Sequence, residues 1–302
     1  MRPFSIMVDT SYDLPQEFLD EHGISIIPIP FILDGVQHNG GRWQEISDVE
    51  FYDALGAGSS AGTALINPEA FVEVFTDFAK RGEELLVLLL SSGLSGTYQN
   101  SLIALTEVRE KYPDCKIRPV DSMNAAGGVG LITVLAVKKR AEGLSLEETA
   151  LWLEEKRHSC LSLFTVDDLM YLHRGGRLSK LQAVAGSIIG IKPLLNMAPD
   201  GTLKLKDKAR GRKAALETLC SQMKRCLSPG ASLDTVVISH SNCIKDAQSL
   251  EGAIRSTFQI KDTLVAMMGP VIGAHVGPGC IALFFESELP RPEYEAKFYG
   301  GK

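Results

Sequence analysis

The residues best placed to do chemistry lie in Leu86–Thr97, "LVLLLSSGLSGT", where an apolar block runs into serines and glycines and then into the helical pattern Tyr98–Leu102. A strand that turns through glycine into a helix leaves backbone N–H groups aimed outward at the positive end of the helix dipole, a ready anion site. The donors present limit which anion it takes. The loop has no lysine, so it lacks the Gly-x-x-x-x-Gly-Lys-Ser/Thr of a P-loop, and it lacks the Gly-x-Gly-x-x-Gly of a dinucleotide fingerprint. Hydroxyls and amides alone suit a singly charged carboxylate better than a polyphosphate, which recruits Lys, Arg or a metal. Two other readings stand beside this one. In the first, Ser95 simply caps the helix. In the second, Gly93-Leu94-Ser95-Gly96-Thr97 departs by one residue from the Gly-x-Ser-x-Gly nucleophile elbow, and Ser95 works with His275 and Asp9 as a serine hydrolase. The chain order Asp, Ser, His is not that of the α/β-hydrolases.

His275 is the one titratable side chain of Gly269–Gly279, "GPVIGAHVGPG", a glycine-rich crossing between two apolar strands. Glycines let a backbone approach a ligand or another backbone closely. His22, His38, His158 and His173 show no metal spacing and are read as structural or exposed, and His240 is ambiguous. The cysteines Cys115, Cys160, Cys220, Cys226, Cys243 and Cys280 never fall at the spacing of a zinc knuckle or redox pair, which points to free, buried thiols in a reducing compartment. No metal and no cofactor is expected.

These groups need a scaffold. Strand-like runs at 4–8, 24–33, 84–90 and 116–120 alternate with helical patterns, which argues for a mostly parallel sheet with helices on both faces. Ser47…Glu50 and Ser145…Glu148 fit capping boxes, and Asn67-Pro68 puts a capping side chain before a first-turn proline. Gly82 and Gly143 fall where helix C-termini favour a left-handed residue. After about residue 160 the pattern changes. A small-residue apolar helix around "AVAGSIIGI" is followed by a hairpin at Asp200-Gly201, then by strands "DTVVISH", "TLVAMM" and "GCIALFF". The expected fold is α/β with two domains, 1–163 and 164–302, the second α+β.

The bulk numbers agree with an ordinary globular chain. It has 302 residues, 45% hydrophobic and 23% charged, enough for a full core. A net charge of −6 argues against a nucleic-acid binder, which needs a basic face. The N-terminal apolar stretch is too short for a signal peptide, and the apolar run 125–137 is shorter than the roughly 18 residues of a membrane span. A cytoplasmic location is expected.

Taken together, "VDTSYDLP", "LSSGLSGTYQNS", "YLHRGGRLSK" with "GIKPLL", and "MGPVIGAHVGPG" resemble the DegV family of bacterial fatty-acid-binding proteins, in consistent order from Val8 to Gly279. The resemblance implies an N-terminal α/β domain joined to an α+β domain, with one fatty acid buried between them and presented to a separate fatty acid kinase. It implies a carrier subunit in phospholipid metabolism and not an enzyme; a regulator that only senses the lipid is the other non-catalytic reading. By position, Ser95, the Gly96 amide and Thr63 would hold the carboxylate, with His275 in the surrounding hydrogen-bond network. Thr63 is all that remains of the family's Thr-Ser-Gln-Pro segment, which here reads Thr63-Ala64-Leu65-Ile66. Arg174 and Arg177 of "HRGGR" would dock the kinase. A buried tail of about fifteen methylenes would gain on the order of 12 kcal/mol gross at ~0.8 kcal/mol each, so affinity follows the tail and the head-group residues set orientation. "AVAGSIIGI" and "LVAMM" are candidate tunnel walls. The basic run Lys204, Lys206, Lys208, Arg210, Arg212 and Lys213 is most simply a solvated face, with transient contact to an anionic membrane surface as the sharper reading.

Overall fold

The computed structural model describes residues 4–39, 45–186 and 190–300. In chain order the first half contains β1 (Ser5–Asp9), α1 (Gln16–His22), β2 (Ile24–Ile27), β3 (Phe31–Leu33), β4 (Val36–His38), α2 (Asp48–Gly56), β5 (Ala61–Thr63), α3 (Pro68–Arg81), β6 (Leu85–Leu89), α4 (Thr97–Lys111), β7 (Ile117–Asp121), α5 (Gly127–Ala141) and α6 (Leu146–Lys156). The second contains β8 (Cys160–Thr165), α7 (Leu169–Arg174), α8 (Lys180–Gly186), β9 (Ile191–Met197), β10 (Leu203–Arg210), α9 (Arg212–Arg225), β11 (Ser232–His240), α10 (Ile244–Thr257), β12 (Gln259–Met267), α11 (Pro270–Val276), β13 (Ile281–Glu286) and α12 (Arg291–Tyr299).

The first sheet is all-parallel in the order β2-β1-β6-β7. β6 is buried on both faces, as a continuous apolar run in a parallel sheet requires. Leu85, Val87 and Leu89 pack with Phe71 and Phe75 of α3, while Leu86 and Leu88 turn the other way toward Val129 and Ile132 of α5. The helix starts follow their caps: Ser47 and Ser145 close full capping boxes, and Asn67 Oδ1 accepts the Ala70 N–H at 2.9 Å. The apolar run at 24–33 is not one strand. Pro28 and Pro30 lack the N–H a ladder needs, so the run breaks into β2 and β3, which lie in different sheets. β3 joins β4 and β5 in a small antiparallel sheet, and α2 packs on it through Phe51 and Tyr52.

The second sheet has the order β10-β9-β8-β13-β11-β12, parallel only between β11 and β12. All of β8 belongs to it, including residues 163 and 164 on either side of the expected division. One face, with Leu161, Leu163, Leu283 and Phe285, packs with residues of α9, α10 and α12. The other, with Phe164, Ala282 and Phe284, belongs to the same core as α5 and the first sheet. α5 is therefore the shared layer, and every residue from Gly127 to Val137 is buried. At Gly127 a Cβ would sit 2.6 Å from both Ser239 Oγ and Val237 Cγ1, so only glycine lets this helix start so close to the second sheet. The hairpin at Asp200-Gly201 joins β9 to β10, with Gly201 at φ +74°.

Candidate functional site

The loop after β6 is held from three sides. Asp9, at the end of β1 and fully buried, accepts the Leu90 N–H at 2.6 Å, the Ser11 N–H at 2.9 Å and the Ser11 hydroxyl at 2.5 Å. Burial pushes its carboxyl up, against the pull of those donors. Asp121, at the end of β7, accepts the Ser92 N–H at 3.1 Å and the Ser92 hydroxyl at 2.6 Å. The hairpin turn of the second sheet closes the third side: Ser91 donates to the Gly201 carbonyl at 2.8 Å, and a Cβ on Gly93 would lie 2.6 Å from Gly201 C. Glycine at 93 is thus a requirement of two backbones in contact.

So fixed, the loop presents Ser95 at the start of α4. Ser95 Oγ accepts the Thr97 N–H at 3.3 Å and lies 3.0 Å from the Thr97 hydroxyl. Gly96 precedes the helix at φ −74°, and its N–H meets no acceptor among the described residues. Across from it stand Thr63, the last residue of β5, and His275 in the last turn of α11. Thr63 Oγ1 lies 2.8 Å from His275 Nε2, although the two residues are 212 apart in sequence. The glycine-rich crossing that carries His275 is therefore not an open loop. Pro270 at its first turn starts a helix, because a helix start has no use for the missing N–H. Gly175 backs the imidazole so closely that a Cβ there would be 2.2 Å from Nδ1. Burial first, and the nearby Arg177 cation second, push the imidazole down to about 4, so it is neutral at pH 7.

Thr63, Ser95, His275 and Arg177 all line one cavity of about 750 Å³ of empty space, part of it open to solvent. The rest of its wall is almost wholly apolar, with Ser162 the other hydroxyl; Phe164, Met197, Ala282 and Phe284 come from the second sheet, and Leu90 and Leu94 from the loop. Arg177, expected at a docking surface, lies in this wall: its Nε donates to the Leu94 carbonyl at 3.1 Å, next to Ser95, and it donates again to the Gly175 carbonyl. Burial lowers the guanidinium from its ordinary value. Arg174 stands apart, exposed, with its guanidinium 4.6 Å above the Tyr171 ring.

The triad weighed as an alternative is not assembled. His275 Nε2 faces Thr63 and not Ser95, its Nδ1 has no hydrogen-bond partner among the described residues, and Asp9 is engaged with Ser11 and Leu90. Of the candidate tunnel walls, Met268 of "LVAMM" lines the cavity; in "AVAGSIIGI", residues 187–189 and the side chains of 184–186 lie outside the described residues. In the basic run, Lys206 pairs with Glu295, and Arg212 bonds Asp246 at 2.9 Å. No helix among the described residues is long and apolar enough to cross a membrane. Sequence reasoning missed Asp121 and the hairpin turn as supports of the loop; neither carries a motif, since both act through tertiary contact.

Fold and site together define an α/β protein of three sheets with a largely apolar cavity, partly open to solvent, and a small polar cluster on its wall. The chain matches the family described as "Uncharacterised protein, DegV family" over residues 3–288. It is 37% identical over 293 residues to a DegV domain-containing protein of Clostridium perfringens, covering 97% of this chain and 100% of that one. The chain belongs to the DegV family. Among solved structures it resembles a Thermotoga maritima hypothetical protein that "reveals fatty acid binding function", with TM-score 0.83, 28% identity, and 95% of this chain and 100% of that one covered. A DegV family protein from Thermus thermophilus, described for its fatty acid binding, gives TM-score 0.84, 28% identity and the same coverage, 95% and 100%.

Proposed function

We propose that this chain binds a long-chain fatty acid and presents its carboxylate to a separate fatty acid kinase for acyl-phosphate formation. The observation that carries the reading is the gathering of Thr63, Ser95, Arg177 and His275 on the wall of one otherwise apolar cavity. The two relatives of known structure named above, described as fatty-acid-binding, support it. In this reading the Ser95 hydroxyl and the Gly96 N–H donate to the carboxylate. A neutral His275 donates from Nε2 to Thr63 Oγ1, which leaves the Thr63 hydrogen for the carboxylate. Each such charge-assisted bond contributes roughly 1.5–3 kcal/mol. Arg177 holds the loop through the Leu94 carbonyl and adds a cation near the head group. The acyl tail lies against Phe164, Met197, Ala282 and Phe284. We divide the chain for this purpose into 1–163, which carries the Ser95 loop, and 164–302, which covers the tail.

Delivery to a kinase rests on the family resemblance, with exposed Arg174 as its docking contact and transient contact with a membrane surface for loading. In this role the chain is a carrier and performs no chemistry itself. Native mass spectrometry of the purified protein, followed by extraction of any bound molecule, tests the ligand. A one-to-one adduct with the mass of a long-chain fatty acid is expected; a protein that stays empty after incubation with palmitate and oleate refutes the reading. Lipid binding without support of fatty-acid-dependent phosphate transfer by a cognate kinase would make the protein a lipid-responsive regulator.

A further inference from the structure

The lobe formed by β3, β4, α2 and β5 brings Thr63 to His275, and its seat on α11 is built around a single missing side chain. α11 has two working faces. Ile272, His275 and Val276 line the cavity. Gly273 and Ala274 turn toward the lobe: a Cβ on Gly273 would lie 2.6 Å from the Tyr52 hydroxyl oxygen and 2.7 Å from Phe51 Cε1, and Ala274 packs in one cluster with Phe31, Phe51, Tyr52 and Leu55. Gly273 lies in a helix, where alanine is the better former. The backbone therefore does not ask for glycine; the room taken by two aromatic rings does.

From this notch a chain of contacts runs to the head-group site. Phe51 meets Tyr52 edge-on with centroids 5.3 Å apart and meets Phe31 edge-on at 5.9 Å. Phe31 is the cross-strand partner of Thr63. The Tyr52 hydroxyl donates to the Met268 carbonyl at 3.0 Å, and Met268 lines the cavity. Thr63 to His275 closes the circle at 2.8 Å. The lobe thus touches α11 at both ends: rings in the notch at one, Thr63 on the imidazole at the other.

We propose that Tyr52, seated with Phe51 in the Gly273 notch, is a positioning residue that holds Thr63 in register with His275 and thereby sets the grip on the ligand head group. Tyr52 touches no ligand in this scheme and acts through β3 and β5. The proposal rests on the fatty-acid reading of the cavity only for its consequence in binding; the geometric link between Tyr52 and the Thr63–His275 pair stands by itself.

The test uses the full chain with Tyr52→Phe, which removes one hydroxyl, and Gly273→Ala, which fills the notch. His275→Gln assigns the imidazole signals of His275 among the six histidines, and Thr63→Ala supplies the signals of an imidazole that has lost its partner. In stripped protein, Gly273→Ala is expected to shift the His275 nitrogen and Hε1 resonances toward those of Thr63→Ala, with Tyr52→Phe shifting part of the way. Oleate affinity, read by displacement of a fluorescent fatty acid, should weaken about tenfold for Gly273→Ala, the scale of losing one head-group hydrogen bond. Wild-type His275 resonances in both variants would overturn the proposal, whether or not the melting temperature falls, because simple core packing would lower stability without moving that imidazole. If Gly273→Ala does not fold, Tyr52→Phe alone decides by the same signals. If the wild-type protein takes up no fatty acid, the functional reading fails, while the imidazole signals still decide the positioning role.

Discussion

Ser95→Ala separates the two roles this residue can have, and the structure puts a size on each. Gly96, not Ser95, is the N-cap of α4, and Ser95 Oγ accepts the Thr97 N–H at 3.3 Å from one residue before it, so its loss removes one hydrogen bond and should destabilise the ligand-free protein by about 1 kcal/mol. In the proposed complex the same oxygen donates to a carboxylate, a bond of roughly 1.5–3 kcal/mol, which corresponds to a rise in Kd of about 10- to 150-fold. The fold should survive, because Asp9, Asp121 and the Gly201 carbonyl hold the loop independently of Ser95. Two measurements on delipidated protein suffice: urea unfolding for the first quantity and displacement of a fluorescent fatty acid for the second. A stability loss with an unchanged Kd would refute the assignment and leave Ser95 with a role in the loop alone.

His275 makes stability pH-dependent: neutral in the folded chain down to about 4, it takes a proton near 6.5 when unfolded, so its contribution is full above pH 6.5 and is lost as pH falls toward 4. Urea unfolding should show a loss on the order of 3 kcal/mol across that window that His275→Gln lacks; parallel pH profiles would refute it. Ala282→Leu puts about three more carbons into the cavity wall, and native mass spectrometry should show the bound acyl chains shortened by about two to three carbons. An unchanged chain distribution would place the tail elsewhere. Arg177→Ala should weaken fatty-acid binding by freeing the Leu94 carbonyl, whereas Arg174→Ala should spare binding and, if the proposed delivery to a kinase holds, slow phosphorylation of the bound lipid. Equal effects of the two substitutions on binding would contradict the separate places given to them.

The local signals in the chain were enough for much of the scaffold. The capping boxes at Ser47 and Ser145 and the Asn67-Pro68 start are decided by groups within four residues of one another, so a sequence displays them whole. Hydrophobic period and turn residues likewise reveal the parallel first sheet and the Asp200-Gly201 hairpin. The "LSSGLSGT" loop was legible as a hydroxyl-bearing turn from strand to helix because strand, glycine turn and helix start are contiguous. Local reading failed where a residue's partner is distant. The prolines that divide β2 from β3 do not say that the two strands enter different sheets. The glycines around His275 read as a loop, yet packing against Tyr52 and Tyr171 makes a helix there and uses Gly273 and Gly277 as clearances.

Composition, periodicity and turn chemistry determined an α/β chain with a hydroxyl-lined loop at a helix start. Only the tertiary structure decided that Thr63 meets His275, that Arg177 turns inward while Arg174 stays out, and that a cavity exists at all. The physical reason is that a cavity belongs to no segment. It is the space left between the loop after β6, which meets the second sheet at the hairpin turn, and one face of that sheet across the start of α5, and its shape is set by clearances between side chains far apart in sequence.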